Sequence, residues 1–271
     1  MGLVQLNIMA HFKFYGRILP PSPIIRLTMR DLPSVHWEDK ELGLVLDVNM
    51  TIIDSEVSIT CESNLYSTQD DVSEVYKRVF DMARTAVDCF SYIKGMGLGV
   101  VLERVIPPSG IQHNILVERP ELAKLVTAFD LNRENKGNNF DAMYQIVISD
   151  PNVFLAVNDL IAAIAVSHLA AVNCGRAVEA IREVIMPSGS DTAKRNRGWE
   201  LMRQNLNLGF TYLNFISNVS TAPRHGKRVA ATSKQDFNET IKRSWIIMNR
   251  FFEYRKRGSV QLPLTEFPIL S

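Results

Sequence analysis

The sequence contains few cysteines, and none of them is paired. Cys61, Cys89 and Cys174 are odd in number and far apart, and no Cys-x-x-Cys spacing is present. This usage excludes a disulfide framework and a cysteine-based zinc site, and it fits a reducing cytoplasm. The histidines of the first half have no acidic residue at metal-ligand spacing, so we expect no metal and no cofactor.

Long uninterrupted apolar runs are also lacking. The first fourteen residues have no basic region followed by a long apolar stretch, so we expect no cleaved signal. The most apolar run, Val153 to Val172, contains Asn158, Asp159 and His168. A membrane span rarely tolerates such residues, and we expect a buried helix, a cytoplasmic protein and no membrane partner.

Several motifs of enzyme families are absent. The sequence has no Walker loop, no Gly-x-Ser-x-Gly elbow and no His-Glu-x-x-His helix. Gly95, Gly97 and Gly99 follow a predicted helix and precede a predicted strand, whereas a dinucleotide-binding loop needs the reverse order. We interpret these glycines as a turn.

Positive charge is concentrated in one segment. Residues 187 to 258 contain fourteen Lys and Arg against five Asp and Glu, while the rest of the chain is acidic and the net charge of the whole is +1. Such an asymmetry is typical of a face that binds polyanions. Basic residues on solvated helix faces and at helix C-termini produce the same count, and this alternative stays open.

The first part of the chain has the patterning of a small sheet with one helix. Apolar residues alternate with polar ones from Leu44 to Ile52 and again from Val57 to Cys61, which predicts a β-hairpin across Asp54-Ser55. A further strand is expected near Phe12 and Phe14. From Asp70 the apolar residues follow a helical period that ends at Gly95, and two short extended runs follow. We predict an α+β domain over residues 1–118.

The rest of the chain is helical in pattern. Asp150-Pro151 is typical of a helix start, and this helix either continues to Ile185 or breaks near Asn173 and Gly175. The last helix is expected to begin near Ser233. The fold class we predict is α+β, in which the sheet domain precedes an all-α, up-and-down bundle over residues 119–258 and an extended tail over 259–271.

The first candidate site is the helix junction around His225. An imidazole can move a proton near neutral pH, and Arg224 beside it can hold a phosphate. The predicted catalytic residues are His225 and Arg224, and the predicted ligand-binding residues near them are Asn218, Gly226, Lys227 and Arg228. The alternative is a plain helix corner, in which Arg224 bonds terminal carbonyls and Gly226 supplies a positive φ.

The second candidate is a pair of charged residues on one helix, Arg176 and Glu179. Position 176 continues the apolar stripe of Ile161, Ile164 and Val172, so we expect Arg176 to point inward, where it needs a carboxylate or a bound phosphate. A structural ion pair explains the same residues without a ligand.

These residues resemble those of the HEPN superfamily of helical domains, which occur in prokaryotic defence and toxin systems. The resemblance covers about residues 140–258 and rests on Arg176, Glu179 and the Arg224-His225-Gly226 corner. Active HEPN ribonucleases carry an Arg followed four to six residues later by a His, whereas here Arg224 directly precedes His225. Many such domains are binding modules without catalysis.

The function we expect from the sequence is RNA or nucleotide binding in a prokaryotic defence-type system. Metal-independent RNA cleavage by His225 and Arg224 is an open possibility that the resemblance implies. The bundle is expected to form a homodimer or to hold a partner protein. A non-catalytic scaffold that binds a partner protein is the alternative function.

Overall fold

The computed structural model describes residues 9–21, 25–39, 43–64, 69–115, 119–128, 140–186, 192–225 and 233–271. It divides into two units, Met1–Leu116 and Val117–Ser271. The first contains an antiparallel sheet and the second is helical, which confirms the predicted α+β class. Residues 132–139, which are rich in Asn, Gly and charge and are predicted to interrupt the helical pattern, lie outside the described part of the chain.

The sheet of the first unit has six strands in the order β2-β3-β4-β1-β5-β6. The predicted hairpin is confirmed, since Asp54 and Ser55 both have positive φ, as a two-residue turn of this kind requires. Within the bulge of β1, a Cβ atom at Gly16 would lie 2.0 Å from the carbonyl oxygen of Val101, so only glycine fits. The strands are β1 (Ala10–Leu19), β2 (Val35–Asp39), β3 (Leu44–Ile53), β4 (Glu56–Ser63), β5 (Gly99–Ile106) and β6 (His113–Asn114).

One face of this sheet is covered by helix α1 (Gln69–Lys94). Its buried residues recur every four positions at Val75, Val79, Ala83 and Val87, and they pack against apolar residues of the strands. The helix ends before Gly95, whose φ of 64° suits a helix C-terminus. The predicted helix and its end are therefore confirmed.

The helical unit is organised around its central helix, α5, which packs against α4, α7 and α8. Asp159 on α4 and Arg176 on α5 lie at similar sequence distances from the connecting turn and contact each other, which shows that these two helices run antiparallel. The helices of the second unit are α2 (Pro120–Ala123), α3 (Phe140–Ile148), α4 (Pro151–Ala165), α5 (Ala170–Ile185), α6 (Thr192–Leu206), α7 (Phe210–Arg224) and α8 (Lys234–Lys256).

Two helices of this unit start at the predicted capping residues, whereas one break between helices lies elsewhere than predicted. Asp150 accepts a hydrogen bond from the Asn152 N–H at 2.9 Å, and Ser233 accepts one from the Asp236 N–H at 3.0 Å, as predicted for the starts of α4 and α8. The apolar stretch that begins at Pro151 breaks at residues 166–169, between α4 and α5, and not near Gly175. The position of this break corrects our prediction.

Gly175 lies inside α5, at a point of close approach to α7. A Cβ atom at this position would lie 2.5 Å from Ser220 Oγ and 2.7 Å from Ser220 Cβ. The missing side chain is thus required by packing between helices. It does not mark a turn.

The chain after α8 returns to the corner between α6 and α7. Asn207 in this corner has a φ of 52°, which asparagine tolerates, and its side-chain amide donates to the carbonyl oxygens of Leu262 at 2.9 Å and Phe267 at 2.8 Å. The Gly209 N–H donates to the Leu270 carbonyl at 2.7 Å. Residues 259–271 are non-helical and pack on their own unit.

Arg250 on α8 joins these segments. Its guanidinium donates to the carbonyl oxygens of Leu206 at 2.8 Å, Asn207 at 2.9 Å and Pro268 at 2.7 Å. The residue is 6% exposed, and this burial lowers the pKa of Arg250. The last carbonyls of α6 and the tail therefore depend on one buried donor.

No single helix among the described residues is long and apolar enough to cross a membrane. The consecutive helices α3 and α4 reach that length and composition only as a pair, and the chain bends by 114° between them.

Replacing Arg250 by Met should destabilise the protein by about 2–4 kcal/mol, because three carbonyl oxygens would each lose a hydrogen bond. Urea unfolding measures the change. Lys242→Met, which removes an exposed cation from the same helix, should change stability by less than about 0.5 kcal/mol. Equal stability of the two variants would contradict the role of Arg250.

Gly175→Ala should cost about 1–3 kcal/mol, since the new methyl group overlaps Ser220. In a Ser220→Gly background the overlapping atoms are absent, and the same substitution should cost nothing or even stabilise α5. Thermal or urea unfolding of the four proteins tests this. A loss that persists in the Ser220→Gly background would show that contact between the helices is not its cause.

Candidate functional site: an arginine cluster at Glu179

The carboxylate of Glu179 on α5 brings together two arginines from different helices. Arg224 on α7 lies 2.7 Å away, measured from Nη1 to Oε2, and Arg195 on α6 lies 3.9 Å away, from Nη2 to Oε1. The side chain of Arg224 is 22% exposed and that of Arg195 is 56% exposed. We call Glu179, Arg195 and Arg224 the Glu179 cluster.

The packing of α5 against α7 places Arg224 in this cluster. Because Gly175 has no side chain, the Arg224 guanidinium can lie along α5, and a Cβ atom at position 175 would be 3.6 Å from its Cζ. Arg224 is also in the last turn of α7, where the partial negative charge of the helix end favours a cation. The ion pair of Arg224 with Glu179 is a contact between helices that the sequence spacing did not predict.

Arg176 lies outside the cluster and does not point inward, so the predicted orientation is wrong. Its side chain is 54% exposed and its Nε lies 3.3 Å from Oδ2 of Asp159 on α4. Burial raises the pKa of the Asp159 carboxyl group, and Arg176 partly offsets this. The prediction assumed one continuous helix from Ile161 to Arg176. The helix is broken at residues 166–169, so the apolar face of α4 does not continue onto the same face of α5.

The buried arginine of α5 is Arg182. Its side chain is 4% exposed, forms an ion pair with Glu183, and stacks on Trp199 at 5.2 Å from the ring centroid. A Cβ atom at Gly198 would lie 3.3 Å from its Cγ, so α5 and α6 approach closely here. Arg182 therefore holds α6 against α5, close to the cluster.

His225 is the residue that caps the C-terminus of α7, and its side chain is exposed. Its backbone N–H lies 3.2 Å from the carbonyl oxygens of Thr221 and Ala222, as at an ordinary helix end. Asn218 is exposed two turns earlier on α7. The other predicted ligand-binding residues, Gly226, Lys227 and Arg228, lie outside the described part of the chain.

Arg195 is a site residue that was not predicted, because the sequence pattern indicates a loop over residues 187–197. Helix α6 begins at Thr192, so Lys194, Arg195 and Arg197 occupy its first two turns, with exposed side chains. Cations usually avoid a helix N-terminus, whose partial charge is positive. The cationic residues directly precede Trp199, and this was the signal in the sequence from which a longer α6 that includes them could have been predicted.

The first turns of α6 test the alternative that the basic residues of segment 187–258 merely lie on solvated helix faces and at helix C-termini. Basic residues at helix C-termini stabilise a helix, whereas three of them at an N-terminus oppose its dipole. Helix stability does not account for this part of the positive charge. An arrangement of this kind attracts anions.

A separate groove of about 710 Å³ lies between α2 and the start of α8. The guanidinium of Arg119 spans it, donating to Asn238 Oδ1 at 3.1 and 3.2 Å and pairing with Glu121 at 3.2 Å. Positive and negative side chains both line this groove, and none belongs to the Glu179 cluster. Its lining does not favour an anion.

The described residues contain no metal cluster, and two of the three thiols are buried. No three His, Cys, Asp or Glu side chains there are arranged to hold a metal ion. The buried thiols of Cys61 and Cys174 have pKa values raised to about 12 by burial, so both stay protonated near neutral pH. Cys89 is free and exposed.

Two family models match the chain in the same order as its two structural units. Residues 12–116 match the N-terminal domain of DUF8168 and residues 140–256 match its C-terminal domain, both described as domains of unknown function. The chain belongs to the DUF8168 family. No curated protein and no solved structure matches this DUF8168 protein. The Glu179 cluster lies wholly within the C-terminal DUF8168 domain.

A double-mutant cycle of Glu179→Gln and Arg224→Met should give a coupling of about 1 kcal/mol, since the pair is partly exposed. Urea unfolding at low salt measures the coupling, and 1 M NaCl should reduce it by screening. The more exposed pair Arg197–Glu200 is the control and should give less than about 0.5 kcal/mol. A coupling no larger than this control would contradict the inferred contact.

Proposed function

We propose that this protein binds RNA or a nucleotide through the Glu179 cluster and the adjoining face of α6. The observation that carries the proposal is the convergence of Arg195 and Arg224 on one carboxylate. A guanidinium has five N–H donors in a planar fork; Arg224 neutralises Glu179, which leaves the donors of the exposed Arg195 to hold a phosphate group. Arg195 is the more exposed of the two, and its 3.9 Å contact leaves its donors accessible.

One face of α6 extends this site in the way that a single-stranded nucleic acid requires. Arg195, Trp199 and Arg203 follow each other at intervals of four residues, which places them on one face over about 12 Å. Arg203 lies 5.8 Å from the ring centroid of Phe210, and Phe210 is 65% exposed. Cations with an exposed aromatic ring match the combination of phosphate contact and base stacking.

The geometry of the cluster favours RNA binding without cleavage. A ribonuclease of the predicted kind needs Arg224 to stabilise charge on the phosphate, but Glu179 neutralises that guanidinium at 2.7 Å. His225 remains an exposed imidazole beside it. We retain the prokaryotic defence-type context and the HEPN relationship as proposals that rest on the sequence resemblance. The cytoplasmic location is proposed because the three cysteines are free.

RNA binding is tested by fluorescence anisotropy with a labelled single-stranded RNA. The Arg195→Gln, Arg203→Gln double variant should bind more weakly across RNA sequences, and the slope of log K against log salt should fall by about 1 to 2. The matched control neutralises two arginines of the first unit, Arg17→Gln and Arg84→Gln, and should bind as the wild type does. Equal affinities of the two double variants would refute the proposed site.

Cleavage is tested on the same RNA with EDTA present. We expect no cleavage that depends on His225. Turnover by the wild type that vanishes in a folded His225→Ala variant, with a pH profile of an imidazole, would instead establish a metal-independent ribonuclease.

A further inference from the structure

Glu179 occupies the place in its cluster where a bound anion would contact both arginines. Its two carboxylate oxygens face different helices: Oε2 lies 2.7 Å from Nη1 of Arg224, and Oε1 lies 3.9 Å from Nη2 of Arg195. All three side chains are partly exposed, and that of Glu179 is 31% exposed. A ligand from solvent can therefore reach both guanidinium groups together only by competing with this carboxylate.

The charges of the cluster determine which phosphate groups can compete. Two arginines and one glutamate leave a net charge of +1. A phosphate inside an RNA chain is a diester with one negative charge. If a diester displaces Glu179, one single charge replaces another, and the Coulomb attraction to the arginines does not increase. An internal phosphate therefore contacts Arg195 and leaves the ion pair of Glu179 with Arg224 in place.

A phosphate at the end of a chain differs because it is a monoester. Near pH 7 it carries a charge of about −1.5 to −2 and has three strong acceptor oxygens. That charge balances two guanidinium groups. Three oxygens can accept two parallel hydrogen bonds from one arginine and a further bond from the other. A monoester thus gains contacts with both Arg195 and Arg224, whereas a diester gains contacts with Arg195 only.

The surroundings of the cluster favour this exchange of anions. The guanidinium of Arg224 lies in the space left by the missing side chain of Gly175, so its position does not depend on Glu179 alone. Arg176 precedes Glu179 by three residues on α5, which makes the two side chains neighbours on the helix surface. Arg176 is 54% exposed and pairs with Asp159 at 3.3 Å. A displaced Glu179 carboxylate therefore has another cation nearby.

The rest of an RNA chain can follow α6 from this point. Arg195 lies in the first turn of α6, and Arg203 lies in its last turn, 5.8 Å from the ring centroid of Phe210. A terminal phosphate at the cluster places the next nucleotides along this face. The exposed ring of Phe210 is then available to stack on a base.

We propose that Glu179 makes the cluster selective for a terminal phosphate monoester of RNA, which displaces the Glu179 carboxylate and is held by Arg195 and Arg224 together. This inference rests on the proposed binding of RNA at the cluster, and it adds the class of phosphate group that is bound there. The 5′ and 3′ ends of an RNA can both carry this group, and the experiment distinguishes them.

Fluorescence anisotropy with three internally labelled single-stranded RNAs of one sequence tests the selectivity. One RNA carries a 5′-phosphate, one a 3′-phosphate and one only hydroxyl ends. We expect one of the two phosphorylated RNAs to bind about tenfold more tightly than the hydroxyl-ended RNA. The other phosphorylated RNA has the same charge and is the control for nonspecific attraction.

Two failures can be told apart in this experiment. Equal affinities of the three RNAs, or an equal gain at both ends, would overturn the inference and leave RNA binding intact. Absence of binding by all three RNAs would refute the proposed function as well.

Substitution of Glu179 separates competition with the ligand from a purely structural role. Glu179→Gln removes the competing charge at the same side-chain length, so the hydroxyl-ended RNA should bind more tightly. The preference for the phosphorylated end should then fall from about tenfold to about threefold or less. Circular dichroism checks that the variant is folded.

The matched control is Glu200→Gln, which removes a carboxylate that pairs with Arg197 at 3.0 Å on α6. It adds the same net charge to the protein, so it should raise the affinity for all three RNAs alike and leave the preference unchanged. If Glu179→Gln weakens the binding of all three RNAs and keeps the preference, its role is structural and the inference is overturned.

Discussion

Arg250 on α8 connects its own helix to two other backbone segments of the helical unit, the end of α6 and the tail, by donating to the carbonyls of Leu206, Asn207 and Pro268. An arginine supplies several directed donors in a rigid plane, and no neutral side chain can satisfy three carbonyls in this way. Burying a charge is costly, and the three hydrogen bonds to carbonyl oxygens offset that cost. The Asn207 carbonyl accepts a second hydrogen bond, from the Leu270 N–H at 3.1 Å. The corner between α6 and α7 and the course of the tail both follow from this contact.

That corner determines where the candidate site lies. From residues 207–209, α6 extends back to Arg195 and α7 extends forward to Arg224, and both arginines reach Glu179 on α5. The two helices thus form a hairpin whose closed end is fixed by Arg250 and whose open end carries the cationic cluster. Gly175 lets α7 approach α5 closely enough for this contact.

Most of the fold could be predicted from local patterns, because strand alternation and helix caps depend on residues that are close together in the sequence. The hairpin of β3 and β4 and the start of α8 at Ser233 are examples. Strand β2 was missed because neither face of this edge strand is fully buried, so it shows no alternation. The site was harder to predict. Its contacts join residues that are far apart in sequence, and the break at residues 166–169 moved Arg176 outward and left Arg182 as the buried arginine of α5.

Mapping where RNA touches the protein tests the central claim most directly. After ultraviolet cross-linking of a bound single-stranded RNA, mass spectrometry of the peptides identifies the contacting residues without any substitution in the protein. We expect cross-links within residues 192–210, above all at the exposed Phe210, and in the peptide that contains Arg224. Cross-links confined to residues 9–115, or to the groove around Arg119, would contradict it.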